Sequence, residues 1–244
     1  MPHNLSRCFA LPDSPLLVGI KQQNANGQRI SDWTNNPDNC AAHWAEEEQF
    51  ILAHLIPLLL CGEQSAQLVF NQEITRLFSQ ATAENQSMIN SLIEVEEDES
   101  RHDQALQWIL QHLPIVPSQK KIQGQARLFY AKLGRGEERC QHFIKIAVLD
   151  ACVTQIMHEF EHSLLGASHP FAVLCGLIKK DEAKHVYVAK HYAQALGATP
   201  SMFKSEQVAV CKSLHKLLSS QNQHFAALGV DLARVFNALE AKWQ

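Results

Sequence analysis

The sequence states one five-residue pattern, D-E-x-x-H, twice: Asp98-Glu99-Ser100-Arg101-His102 and Asp181-Glu182-Ala183-Lys184-His185. The two glutamates lie 83 residues apart. On a helix, residues i and i+3 project from nearly one face, so each copy offers a carboxylate and an imidazole to a common point. Both copies belong to a chain whose charged fraction, 19%, is below the usual ~25%. A carboxylate buried without a partner is costly. Any fold that buries these acids must therefore supply counter-charge.

The rest of the chain is patterned for helices. Its 244 residues, 46% of them hydrophobic, can bury a core without disulfides, and 10 glycines with 9 prolines are few for the turns of an all-β chain. Residues 1–38 are expected to be irregular, because Asn24, Asn26, Gly27, Asn35, Asn36, Pro37 and Asp38 supply loop chemistry. One helical domain is expected over 39–244. Its long helices cover about 40–80, 84–112, 137–165 and 170–196. Pro57 is expected to kink or divide the first of them. A shorter helix over about 118–133 ends at Gly134-Arg135-Gly136, and amphipathic helices over about 201–221 and 223–242 close the chain. The long helices come in two pairs, the pattern of an internal repeat.

Two Glu-x-x-His pairs on facing helices, joined by one acid from each of two further helices, make a di-metal carboxylate site in a four-helix bundle. The missing acids should precede each pair. Glu63 lies 36 residues before Glu99, among the apolar neighbours Leu59, Leu60, Ala66 and Phe70. Asp150 lies 32 residues before Glu182, among Phe143, Ile146, Ala147, Val153 and Met157. Glu73, 26 residues before Glu99, is the reserve ligand, since its offset matches the second half less well. The expected ligand set is Glu63, Glu99, His102, Asp150, Glu182 and His185. Asp98 and Asp181 are candidates to accept a hydrogen bond from a ligand histidine on the opposite helix and so fix its tautomer. A third E-x-x-H, Glu159-Phe160-Glu161-His162, sits beside the Gly166–Pro170 turn. At ~1.5 Å per residue it misses the level of Glu182 by on the order of 10 Å, so it is expected to be a solvated helix end. Phe70, Leu106, Phe143, Val153 and Met157 are candidates to line a pocket.

These residues resemble the ferritin-like di-iron carboxylate superfamily over about residues 40–196. The doubled E-x(n)-D-E-x-x-H pattern is most similar to the p-aminobenzoate N-oxygenase type of enzyme. The resemblance implies an all-α, ferritin-like four-helix bundle with additional C-terminal helices. It also implies two iron ions that activate O₂ to oxidise a small organic substrate, with Glu99 and Glu182 as bridging ligands. Histidine and carboxylate ligands suit iron, with an iron–manganese pair as the alternative. Ile178 stands where the N-oxygenases carry an extra histidine, and Leu106 where a ribonucleotide reductase small subunit carries its radical tyrosine. Two other readings compete: an iron-handling ferroxidase without organic substrate, and a helical interaction domain without metal.

The remaining features bound partners and location. No flavin or nicotinamide fingerprint occurs, so an external electron donor is expected. A net charge of −4 without a long basic block gives no electrostatic footprint for nucleic acid. The apolar run Phe50–Cys61 is too short for a bilayer span, and Met1–Ile20 lacks the form of a signal peptide. Seven scattered cysteines, none in a C-x-x-C pair, fit a reduced, cytoplasmic protein. A homodimer is compatible with this class of bundle.

Overall fold

The computed structural model describes residues 7–10, 25–80, 85–135 and 138–243. The described residues form helices and connecting turns, with no strand among them. Four long helices carry the expected residues: α2 (Glu46–Phe78), α3 (Gln86–Gln111), α5 (Arg139–Glu161) and α6 (Pro170–Ala195). Between them lies α4 (Gln119–Leu133); before them α1 (Ala25–Asn35); after them α7 (Pro200–Leu218), α8 (Asn222–Ala227) and α9 (Leu232–Trp243). The expected starts at Glu84 and Glu137 fall outside the described residues. None of the described helices is long and apolar enough to cross a membrane.

Local chemistry sets the helix ends. Glu46, Glu47 and Glu48 place negative charge in the first turn of α2, where the helix dipole favours it. Glu48 Oε2 also accepts the Ala45 N–H at 2.9 Å. Pro170 opens α6 with its preset φ, while His169 Nδ1 accepts the Phe171 N–H at 3.1 Å. α2 continues across Pro57 and is not divided there. The roughly 3 kcal/mol cost of an interior proline is outweighed by burial of the surrounding Leu52, Leu55, Ile56 and Leu58.

Side-chain contacts fix the helix directions. In α5 and α6, Phe160 meets Phe171 at 5.4 Å between ring centroids and Phe143 meets Tyr192 at 4.6 Å, an antiparallel register. In α3 and α6, His102 meets Asp181 and Asp98 meets His185, again antiparallel. Glu63 and Gln64 meet His102 and Asp103, while Phe70 and Ile74 share a cluster with Ile89 and Leu92, so α2 and α3 are antiparallel as well. Hence α2 and α6 run one way, and α3 and α5 run the other. α4 carries the chain back from the end of α3 to the start of α5.

Two apolar clusters sit above and below a polar layer. One contains Ile56, Leu60, Leu106, Ile109, Met157, Phe160 and Ile178. The other contains Phe70, Ile74, Leu92, Val95, Phe143, Ile146, Val188 and Tyr192. On α2, α3 and α6 the expected ligands lie between the segments that feed these two clusters.

Two departures from the sequence reading have physical causes. Residues 25–35, expected to be irregular, form α1, because Ile30 and Trp33 share a face and are buried. Trp33 stacks edge-on with Trp108 at 5.6 Å and its indole N–H donates to Pro170 O at 3.0 Å. The expected helix over 223–242 is split into α8 and α9 at Gly229, whose φ of +78° ends α8. There the Val230 N–H donates to Phe225 O at 2.9 Å, and Leu228 and Val230 are buried.

Phe143 is wedged between Phe70 (5.9 Å) and Tyr192 (4.6 Å) and is 2% exposed. Phe143→Ala should lower unfolding stability by about 3–5 kcal/mol, measured by chemical denaturation. A loss below about 1 kcal/mol would contradict the packing described.

Candidate metal centre

Glu63 of α2, Glu99 and His102 of α3, and Glu182 of α6 are all buried, and each places one ligand-type atom within 4.8 Å of the others. They lie close enough to bind a metal ion. His102 Nδ1 is 3.1 Å from Glu63 Oε2, 3.6 Å from Glu182 Oε1 and 4.0 Å from Glu99 Oε2. His185 Nδ1 is 3.2 Å from Glu99 Oε1 and 3.8 Å from Glu182 Oε1. Asp150 of α5 lines the same cavity as Glu63, Glu99 and Glu182. The six expected ligands are thus gathered from four helices into one buried layer.

Asp98 and Asp181 brace the two histidines from the opposite helix. His102 Nε2 donates to Asp181 Oδ2 at 3.2 Å, and His185 Nε2 lies 3.4 Å from Asp98 Oδ2. In both cases Nδ1 faces the carboxylates. The brace on Asp98 is itself held by Lys184 Nζ at 2.7 Å and by Arg101. Burial opposes its charge, but His185 and Lys184 hold the Asp98 carboxyl well below the usual carboxylate range.

The electrostatics of the central acids differ from those of an ordinary ion pair. Burial pushes the Glu182 carboxyl up to about 8, against the pull of His185, with Glu63 and Asp150 adding to the rise. Burial lifts Asp150 to about 7, again opposed by His185 and reinforced by Glu63. Glu99 rises well above its ordinary value through burial and the charges of Glu182 and Glu63. Burial also opposes charge on Glu63, yet its bond to His102 lowers it. His102 is driven well above its usual value, because Asp181 and Glu63 overcome burial. Of the buried polar atoms without a hydrogen-bond partner among the described residues, two belong to this layer: Asp150 Oδ2 and His185 Nδ1. His185 Nδ1 is near Glu99 in distance but out of line for a bond. Buried polar atoms left in that state are uncommon.

Several expected residues lie elsewhere. Glu73, the reserve ligand, is not in the layer. Ten residues beyond Glu63 on one helix, it is displaced by about 15 Å along the axis. There Tyr192 and Arg76 donate to it, and Arg139 lies 3.6 Å away. Glu159 and Glu161 stand at the end of α5, paired with Arg234 and Lys179, and His162 is exposed, as a solvated helix end should be. Phe70 and Phe143 belong to the far apolar cluster and Leu106 to the near one. Val153 and Met157 do line the cavity.

Sequence reasoning missed Tyr130 and Gly62. The cavity beside the carboxylates has a volume of about 50 Å³, with Leu59, Gly62, Ala66 and Tyr130 among its walls. Tyr130 lies on α4, a helix expected only as a connection. Gly62 immediately precedes Glu63, and a Cβ there would stand 2.8 Å from Tyr130 Oη. A glycine inside a long helix beside a candidate ligand was the one local signal available. The chain matches no protein-family model, and no curated protein or solved structure matches it.

Metal binding here requires ionised carboxylates, so Asp150 and Glu182 must release the protons they hold near pH 7. Metal affinity should therefore rise from about pH 5 to about pH 8, with proton release visible by calorimetry in buffers of different ionisation enthalpy. The metal-free chain should behave oppositely. Its folded state retains protons that the unfolded state has already lost, so its stability falls over that same interval, about pH 5 to about pH 8. A metal affinity independent of pH would contradict this assignment.

Proposed function

We propose that the chain is a di-iron carboxylate oxidoreductase of ferritin-like architecture that activates O₂ to oxidise a small organic substrate. The observation that carries this reading is the convergence of Glu63, Glu99, His102, Asp150, Glu182 and His185 on one buried layer, with two polar atoms there lacking hydrogen-bond partners. Charge supports two ions: four central carboxylates are balanced by two divalent cations, and no lysine or arginine pairs with any of these four among the described residues. The helix directions support the architecture, since one long crossover through α4 joins two antiparallel pairs, as in ferritin-like folds.

Glu63, Glu99 and His102 would hold one ion, and Asp150, Glu182 and His185 the other. Glu99 and Glu182, each near both histidines, would contribute to holding both ions. Bound iron supplies the redox chemistry toward O₂, with electrons from an external donor. Asp98 and Asp181 would hold the imidazole protons on Nε2, which would leave each Nδ1 lone pair free for a metal ion. Leu59, Ala66, Leu149, Val153 and Met157 keep the approach to the layer apolar.

A second reading, an iron-handling ferroxidase, is favoured by one observation. The cavity, about 50 Å³, is far smaller than the roughly 150 Å³ void that takes a benzene ring. Oxidation of added Fe(II) with release of ferric iron, and no oxidised organic product, would select it.

Protein produced in iron-rich medium should contain two metal ions per chain by elemental analysis. Glu99→Ala and His185→Ala should each lose at least one of the two, whereas Glu73→Ala should keep both and lose only stability, by about 1–3 kcal/mol. Less than one iron or manganese per chain in the wild type would eliminate the metal reading and leave a helical interaction domain. Full occupancy in both ligand variants would show that the ligand set is wrong.

A further inference from the structure

We propose that Tyr130 is a ligand-positioning residue, its phenol donating a hydrogen bond to a small acceptor of two or three heavy atoms held beside Glu63, and that Gly62 keeps open the space the phenol occupies. The inference rests on the metal-centre reading above and adds to it a residue from outside the four ligand-bearing helices. Ile122 and Ala126 are buried and anchor α4, which packs against α2. One turn further along, Tyr130 turns its ring across α2 at Gly62, where a Cβ would meet Oη at 2.8 Å and Cζ at 3.3 Å. The ring lines the cavity together with Glu63, Glu99, Asp150 and Glu182. The other walls are aliphatic or carboxylate, so Tyr130 alone among the lining side chains is a permanent O–H donor.

The phenol is suited to donate and not to ionise. Burial, then the charges of Cys61, Glu63, Glu182 and Glu99, hold its proton well above the usual range. No described residue accepts from its hydroxyl, and that atom is not among the buried ones left without a partner, so water reaches it. A donor that water reaches beside a cavity of about 50 Å³ can exchange that water for a small acceptor held next to Glu63. The space suits an acceptor the size of O₂ or a triatomic anion.

Azide is the probe, titrated into the iron-loaded protein and followed by its absorption band, with metal content measured on the same samples. Tyr130→Phe removes only the hydroxyl. It should keep full metal content and weaken azide binding by about tenfold, the size of one net hydrogen bond. Gly62→Ala should push the phenol aside and give a similar loss, and the double variant should be no weaker than either single one. A residue that merely packs would not show this non-additivity. If Gly62→Ala does not fold, Tyr130→Phe decides alone. Unchanged azide affinity in metal-replete Tyr130→Phe overturns this inference and leaves the metal centre standing. A wild-type protein without metal overturns the metal-centre reading, and this inference with it.

Discussion

Four carboxylates and two imidazoles held at one level between two apolar clusters set the terms for the rest of this bundle. Each acid brings a desolvation cost that helix packing cannot offset. The fold meets that cost by alignment. On α2, α3 and α6 the polar residues lie between stretches that feed separate cores. The level is fixed by register, because one residue of slip in any helix would rotate its polar group by about 100° into the apolar clusters. The aromatic contacts on either side, Phe160 with Phe171 and Phe143 with Tyr192, hold α5 and α6 against such slip.

The doubled D-E-x-x-H acquires its meaning from the antiparallel pairing of α3 and α6. In that arrangement the aspartate of each copy reaches the histidine of the other. One short motif thus supplies a candidate ligand pair on its own helix and a brace on the opposite one. The two halves are not equal. Lys184 and Arg101 both donate to Asp98, whereas no lysine or arginine is seen to pair with Asp181 among the described residues. The brace behind His185 is therefore shared with Lys184 and Arg101, and the brace behind His102 is more nearly its own.

Much of this was legible in the sequence because it is local. The 3.6-residue period located the long helices, and the i, i+3 spacing paired Glu99 with His102 and Glu182 with His185. The offset from Glu99 favoured Glu63 over Glu73 by analogy with Asp150 and Glu182, and the geometry places Glu63 in the layer. What escaped was non-local or carried by few residues. The asparagines and Gly27 concealed α1, whose burial depends on Ile30 and Trp33 meeting Trp108 and Pro170. Tyr130 escaped because nothing near it in sequence marks it; its role comes from where α4 lands on α2. Arg7 likewise reaches Asp103 and Gln67, residues 96 and 60 positions away, and no local pattern predicts that.

Glu73 shows why the central layer differs from a structural ion pair. It is nearly as buried as Glu63, at 7% against 5% exposed. Yet a guanidinium from Arg76, a phenol from Tyr192 and a second guanidinium nearby satisfy it within the chain, and they lower its proton affinity against burial. Evolution of a merely stable bundle has that solution available one helical stretch away. The acids of the central layer lack it. Their neighbours are one another and two histidines, and burial drives Glu99, Asp150 and Glu182 toward the neutral form. Carboxylates placed so that they repel, with imidazole nitrogens turned inward and braced from behind, are poorly arranged for stability in a metal-free chain. They are well arranged for cations that the chain itself does not provide.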